Sequence, residues 1–236
     1  MNGPLLRLHG YAVSNYFNIA HAALIEVGAR FEVVPQRASQ DAAFLALSPM
    51  GKIPVLEAEH GWLAETVAIL EYLEDLMGPT GLYPDDAFQR ARARQIINVV
   101  QMYVEVPVRA LFPGVFMGGK NDAATLHASR LTLDRSSTAL RRLVSPRPYL
   151  LGESLGYADL FAFYCLDIAE RVSLFVYQRS ILTELGLERW AQQVAGRDSS
   201  QRVLAAFDEA FSSYLSAKNA AYPFQPTHYR TGPVSA

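Results

Sequence analysis

The sequence predicts an α/β unit with element order βαβαββα, followed by an all-helical unit. Three observations carry that reading. Residues 5–34 place one amphipathic helical stretch between two short apolar runs. Residues 53–64 hold two short apolar pairs around a turn. From about residue 86 to residue 218 apolar positions recur at helical spacing, and no convincing strand pattern interrupts them.

In chain order, Leu5-Leu6-Arg7-Leu8-His9 reads as a short buried strand. Gly10 and the polar residues after it turn the chain into a helix over about 15–27. On it Phe17, Ala20, Leu24 and Val27 share one face, and Gly28 stands where a C-cap belongs. Residues 31–34 form a second strand, and a strand–helix–strand unit of this length implies parallel pairing with a right-handed crossover. Residues 41–47 suggest a short helix ending before Pro49. A hairpin follows, with Val55-Leu56 and Trp62-Leu63 flanking Glu59-His60-Gly61. Pro54 opens its first strand, where a missing N–H is tolerated. The Ile53–Pro54 bond is a candidate cis peptide. A helix over 66–77 then puts Val67, Leu70, Leu73, Leu76 and Met77 on one apolar face.

Gly78-Pro79-Thr80-Gly81 is dense in turn formers, and the linker is placed at about 78–88. The chain thus divides into residues 1–79, residues 88–220 and an irregular tail, 221–236. Residues 86–111 read as a long helix that bends or breaks at Pro107, whose ring clashes with the carbonyl four residues back. Pro113, Gly114, Gly118 and Gly119 make a flexible segment carrying Phe112 and Phe116. A helix over 122–144 stops at Ser145-Pro146-Arg147-Pro148. The stretch 157–171 is apolar nearly all round and belongs at the centre of the second unit. Two more helices follow, at about 187–196 and 199–217. The tail carries Tyr222, Phe224 and Tyr229 among prolines; it is expected to be non-helical, either disordered or folded back as a lid.

Composition narrows the function. Lys and Arg number 21 against 23 Asp and Glu, a net charge of −2, and no basic cluster interleaves with aromatics, so nucleic acid is not an expected partner. The single cysteine, Cys165, excludes a disulfide framework and a Cys-x-x-Cys redox pair. The N-terminus has no apolar leader pattern, and the longest apolar run, around 160–168, is too short for a bilayer. These features suit a soluble, cytoplasmic protein of a reducing compartment, with no membrane partner. His9, His21, His60, His127 and His228 show no metal-ligand spacing, and no phosphate-binding loop is present.

The run Ser48-Pro-Met-Gly-Lys-Ile-Pro-Val-Leu56, the hairpin, and then Glu65-Thr-Val-Ala-Ile-Leu-Glu-Tyr-Leu73 resemble the glutathione-binding half of the cytosolic glutathione S-transferase superfamily. The similarity is to bacterial-type members with a serine-type active site; it is strong over the first 80 or so residues and looser beyond. It implies a thioredoxin-like N-terminal domain and an all-helical C-terminal domain that forms the second-substrate pocket. On this resemblance Ile53, held by Pro54, pairs with the cysteinyl backbone of glutathione. Glu65 takes the γ-glutamyl ammonium, and Thr66 takes its carboxylate together with the free N–H groups of the helix start. Lys52 reaches the glycine carboxylate, and Gln40 is a further possible contact. Ser14 falls where serine-type members place the residue facing the sulfur. Read from the residues alone, Ser14 and Asn15 are also ordinary N-caps; Tyr11 is the rival sulfur donor, and Asn15 could assist or substitute.

The second-substrate pocket is expected to draw on Tyr11, Tyr103, Phe112, Phe116, Met117 and the tail aromatics. The implied activity is conjugation of glutathione, as co-substrate, to a small hydrophobic electrophile in detoxification. No permanently bound cofactor or metal is expected, and a homodimer is. Two alternatives stay open: a glutathione-dependent disulfide reductase or isomerase of the same fold, and a non-catalytic scaffold. One departure from the family is visible. The usual Ser/Thr-x-x-Asp box at the start of the central second-domain helix reads Gly156-Tyr-Ala-Asp159 here, and Asp159 is assigned a structural role.

Overall fold

A computed structural model describes residues 4–230. Four short strands, β1 (Leu6–Gly10), β2 (Phe31–Pro35), β3 (Val55–Ala58) and β4 (Gly61–Ala64), form one sheet in the order β2-β1-β3-β4. β1 pairs parallel with β2 and antiparallel with β3, which pairs antiparallel with β4. Leu8 lies opposite Val33 on one side and Leu56 on the other. Helices α1 (Asn15–Glu26), α2 (Ala42–Leu45) and α3 (Thr66–Met77) complete the thioredoxin-like βαβαββα order. Leu6, Leu8 and Leu56 from the sheet join Phe17 and Leu24 from α1 and Ile69, Leu70 and Leu73 from α3 in the buried core.

The loop before β3 is fixed from within. Ser48 Oγ donates to the Lys52 carbonyl at 2.7 Å and accepts from the Lys52 N–H at 3.0 Å. Gly51 sits at φ 64°, and a Cβ there would fall 2.2 Å from the Ser39 carbonyl oxygen, so the turn admits no side chain at this position. The Ile53–Pro54 peptide that leads into β3 is cis.

The rest of the described chain is helical: α4 (Ala87–Val100), a π-helical turn (Gln101–Glu105), α5 (Val106–Arg109), α6 (Phe112–Phe116), α7 (Ala123–Leu143), α8 (Tyr157–Tyr177), α9 (Ile181–Leu185), α10 (Glu188–Ala195) and α11 (Asp198–Ala217). The expected break at Pro107 is instead a change of winding. The turn widens just ahead of the proline, and α-helical winding resumes as α5 with Pro107 in its first turn. The segment 112–119, expected to be flexible, contains α6, which begins around Pro113 and is held by Asn121. That side chain accepts from the Gly114 N–H at 3.0 Å and donates to the Leu111 carbonyl at 2.8 Å. α8 runs past residue 171 to Tyr177 and ends at Gln178 in the left-handed region, φ 55°. Its residues from Tyr157 to Ser173 are all buried, which places it at the centre of the helical part.

Asp159 organises the start of α8. Its carboxylate accepts from the N–H of Gly156 at 2.9 Å, the N–H of Leu150 at 2.8 Å and the indole N–H of Trp190 at 2.7 Å. Packing explains the glycine at the cap: a Cβ on Gly156 would sit 3.0 Å from the Leu82 carbonyl, which accepts the Tyr157 N–H at 2.9 Å. The linker thus lies against the cap where a serine would project.

The tail is ordered as far as it is described. The Tyr222 N–H donates to the Val115 carbonyl, Arg171 donates to the Gln225 carbonyl at 2.7 Å, and the hydroxyls of Thr227 and Tyr229 both donate to the buried Asp167. A short 3-10 turn (His228–Arg230) ends with Arg230 paired to Asp208. Residues 221–230 are therefore neither disordered nor a lid; they latch onto α8 and α11. The tail's last residues, 231–236, lie outside the described chain. No helix among the described residues is long and apolar enough to cross a membrane.

Candidate functional site

A cavity of about 560 Å³ opens between the two parts. One wall comes from the β1–α1 loop, the start of α1, the loop before β3 and the start of α3; it carries Tyr11, Ser14, Asn15, Lys52, Ile53, Pro54, Glu65 and Thr66. The other comes from the π turn, α5, α6 and α11, and carries Gln101, Glu105, Val106, Arg109, Phe112, Phe116, Phe211, Tyr214 and Lys218. Most of the residues singled out from sequence therefore share one space. Tyr103, Met117, Gln40 and the tail aromatics Tyr222, Phe224 and Tyr229 do not line it. Tyr103 is 49% exposed: the π turn directs Gln101 and Glu105 to the cavity, and Met102 and Tyr103 face outward.

Ser14 caps α1. It holds an extended conformation, and its Oγ accepts from the Phe17 N–H at 3.3 Å, leaving the hydroxyl proton without an acceptor among the described residues. Asn15 is buried and engaged: its amide donates to Glu105 at 3.4 Å and to the Cys165 sulfur at 3.6 Å, and its oxygen accepts from Arg109 at 2.9 Å. Its donors therefore point into the helical part. Tyr11 lies beneath the Arg37 guanidinium, 4.4 Å from its ring centroid.

Ile53, just ahead of β3, has neither its N–H nor its C=O in a backbone hydrogen bond among the described residues. Glu65 stands at the N-cap of α3 with φ 68° and ψ 113°, a conformation rare for any residue with a side chain, and it makes no side-chain cap bond. Thr66 is buried, and its hydroxyl donates to the Tyr16 carbonyl at 3.4 Å. The first N–H groups of α3 and an extended backbone edge thus face the same space, the combination that suits a peptide carboxylate.

Sequence reasoning missed the polar cluster behind this wall. Glu105 is 1% exposed, and it accepts from Arg109, from Asn15 and from the Tyr16 hydroxyl at 3.0 Å. Arg109 in turn lies over the rings of Tyr16 and Phe112. Burial pushes the Tyr16 hydroxyl pKa up, and Cys165 and Glu105 push the same way; burial likewise raises the Cys165 thiol. The available signal was the four-residue spacing of Glu105 and Arg109 in an otherwise apolar stretch. Among the described residues no group of three or more His, Cys, Asp or Glu could hold a metal ion.

Fold and cavity together define a class: a thioredoxin-like half that offers a backbone edge and a helix start, closed by a helical half with an aromatic wall. Residues 8–81 match the family model for the glutathione S-transferase N-terminal domain. Over 87% of its length the chain is 34% identical to a glutathione S-transferase of Pseudomonas putida, covering 94% of that protein. A maleylacetoacetate isomerase of Pseudomonas aeruginosa is 25% identical over 70% of this chain and 82% of its own. The crystal structure of a glutathione S-transferase from Sinorhizobium meliloti superposes with a TM-score of 0.71 at 25% identity, covering 85% of this chain and 92% of that one. The chain belongs to the glutathione S-transferase family.

Proposed function

We propose that the protein is a glutathione transferase that binds glutathione on the thioredoxin-like wall and adds its thiolate to a hydrophobic electrophile held against the helical wall. The observation that carries this reading is the convergence of Ser14, Ile53, Glu65 and Thr66 with Phe112 and Phe116 on one cavity. In this reading Ile53 pairs with the cysteinyl backbone, Glu65 takes the γ-glutamyl ammonium, and Thr66 with the α3 N–H groups takes its carboxylate. Lys52 meets the glycine carboxylate. Ser14 donates its hydroxyl proton to the sulfur; Tyr11 is the alternative donor and a wall of the second pocket. The thiolate forms a carbon–sulfur bond as the electrophile releases its leaving group, and no resident cofactor takes part. Residues 1–79 act as the glutathione domain and 88–220 as the second-substrate domain, in a cytoplasmic homodimer with a detoxifying role.

The relationship to a maleylacetoacetate isomerase favours one second reading, glutathione-dependent isomerisation at the same site. Calorimetry with glutathione, followed by turnover of chlorodinitrobenzene, a small disulfide and a cis–trans isomerisable enone diacid, separates these. Conjugation with saturable glutathione binding is the expected result. Isomerisation alone would favour the second reading, and absence of glutathione binding would overturn both.

A further inference from the structure

Four cationic side chains, Arg37, Lys52, Arg109 and Lys218, line the cavity against two carboxylates, Glu65 and Glu105. Arg109 is paired with Glu105. Under the transferase reading Lys52 and Glu65 are committed to the two ends of glutathione, which leaves Arg37 and Lys218. Each lies against an aromatic ring of the same cavity. Arg37 lies 4.4 Å over Tyr11, and the Lys218 ammonium lies 6.0 Å from the Tyr214 ring. Burial pushes the Tyr214 hydroxyl pKa up, Tyr11 adds to that push, and Arg37 opposes it, so the two tyrosines and the arginine lie within electrostatic reach of one another. Neither cation has an ion-pair partner among the described residues.

The sequence of α11 and its C-cap gives this arrangement a direction. Phe211, Tyr214 and Lys218 follow one another at spacings that put them on one helix face, and all three line the cavity. Phe211 packs edge-on against Phe116 at 5.1 Å and stacks with Tyr214 at 6.4 Å. The face therefore passes from a buried apolar ring, through an amphipathic one, to a solvated positive charge, and Arg37 adds a second positive charge from the opposite wall. A purely apolar electrophile leaves both cations without a partner.

We propose that the second substrate has an aromatic or apolar body and a terminal carboxylate, the body lying on Phe116, Phe211 and Tyr214 and the carboxylate between Arg37 and Lys218. This rests on the transferase reading above and names its substrate class. Because both cations are solvated, their attraction is moderate and screened by salt.

The test is equilibrium binding of three ligands by calorimetry: S-methylglutathione, S-(para-carboxyphenyl)glutathione and the aryl methyl ester of the latter. The wild-type protein is expected to bind the acid about three- to tenfold more tightly than the ester at low salt, as two solvated ion pairs allow. That preference should shrink as salt is raised and vanish in the double variant Arg37→Gln, Lys218→Gln, while S-methylglutathione binding stays within about twofold. Equal wild-type affinity for acid and ester overturns the proposal and leaves the transferase reading intact. So does a variant that weakens S-methylglutathione as much as the acid, because the cations would then serve the tripeptide. If none of the three ligands binds, the glutathione reading itself falls, and the proposal with it.

Discussion

Replacing Ser14 with alanine separates two roles of one hydroxyl. The first is structural: its oxygen accepts from the Phe17 N–H at 3.3 Å, a long bond. Its loss therefore belongs in the lower part of the capping range, about 0.5–1 kcal/mol. For a chain of this size that lowers Tm by roughly 1–4 °C. The second role is electrostatic. A hydrogen bond to a charged group is worth about 1.5–3 kcal/mol, and one pKa unit corresponds to about 1.4 kcal/mol, so the thiol of bound glutathione should rise by about 1–2 units in the variant. The α1 N-terminus still contributes about 0.3–1 kcal/mol towards the thiolate, which leaves the shift incomplete. The assay follows thiolate ultraviolet absorbance of bound glutathione against pH, beside the pH profile of kcat/KM with chlorodinitrobenzene. Because the thiolate is the reactive form, activity below the wild-type pKa should drop about 10- to 100-fold and recover above the raised pKa. Ser14→Thr keeps both cap and donor and should restore the wild-type titration. If Tm falls but the bound thiol does not move, Ser14 is a cap alone. Tyr11 is then the donor, since the Asn15 amide is turned to Glu105 and Cys165.

Two further outcomes follow from particular residues. At Glu65, φ 68° costs about 1–3 kcal/mol that glycine does not incur, so Glu65→Gly should stabilise the apo protein by about 1 kcal/mol after the entropy of the added glycine. The same change should weaken glutathione binding about 10- to 100-fold through the lost charged contact. Thermal unfolding with and without glutathione checks both, and a loss of stability together with affinity would refute the strain argument. His21, packed between Phe17 and Phe31, has its pKa lowered to about 4 by burial, with Arg202 adding to the effect. Its folded pKa lies below the unfolded value, so the unfolded chain alone takes up the proton. Stability should therefore fall by up to roughly 3 kcal/mol as pH drops from about 6.5 to 4, and His21→Gln should remove that part of the slope in urea denaturation.

The two walls of the cavity were not equally legible. The thioredoxin-like wall depends on local backbone features, namely a Ser48 clasp, a turn at Gly51, a proline opening a strand and a helix start at Thr66. All lie within a stretch short enough for residue type and spacing to specify them. The sheet was legible for the same reason: the apolar residues of β1, β3 and α1 are set by neighbours in sequence. The opposite wall brings together Glu105, Phe116, Tyr214 and Lys218 from segments whose relative rotation depends on packing. Helical periodicity places Tyr103 on a helix but cannot foresee that widening ahead of Pro107 turns it outward and Glu105 inward. The tail was opaque for a related reason. The residue that latches it is Asp167, a carboxylate buried midway along α8. Burial pushes its pKa up, but Arg171 and the hydroxyls of Tyr229 and Thr227 hold it below the usual carboxylate range.

Asn15 shows what that difference means for reasoning about the site. From sequence it was a helix cap or a second donor to the sulfur, two roles defined entirely by the thioredoxin-like half. In the fold it is a buried bridge, giving its amide to Glu105 and Cys165 and its oxygen to Arg109. Glu105 also holds the Tyr16 hydroxyl, and the Tyr16 carbonyl accepts from Thr66 at the mouth of α3. A path of hydrogen bonds, joined through the covalent frame of Tyr16, therefore runs from the start of α3 to the guanidinium lying over Phe112 on the opposite wall. A change on either wall has a physical route to the other through Glu105, so the buried carboxylate couples the two halves of the cavity although it is assigned no contact with either substrate.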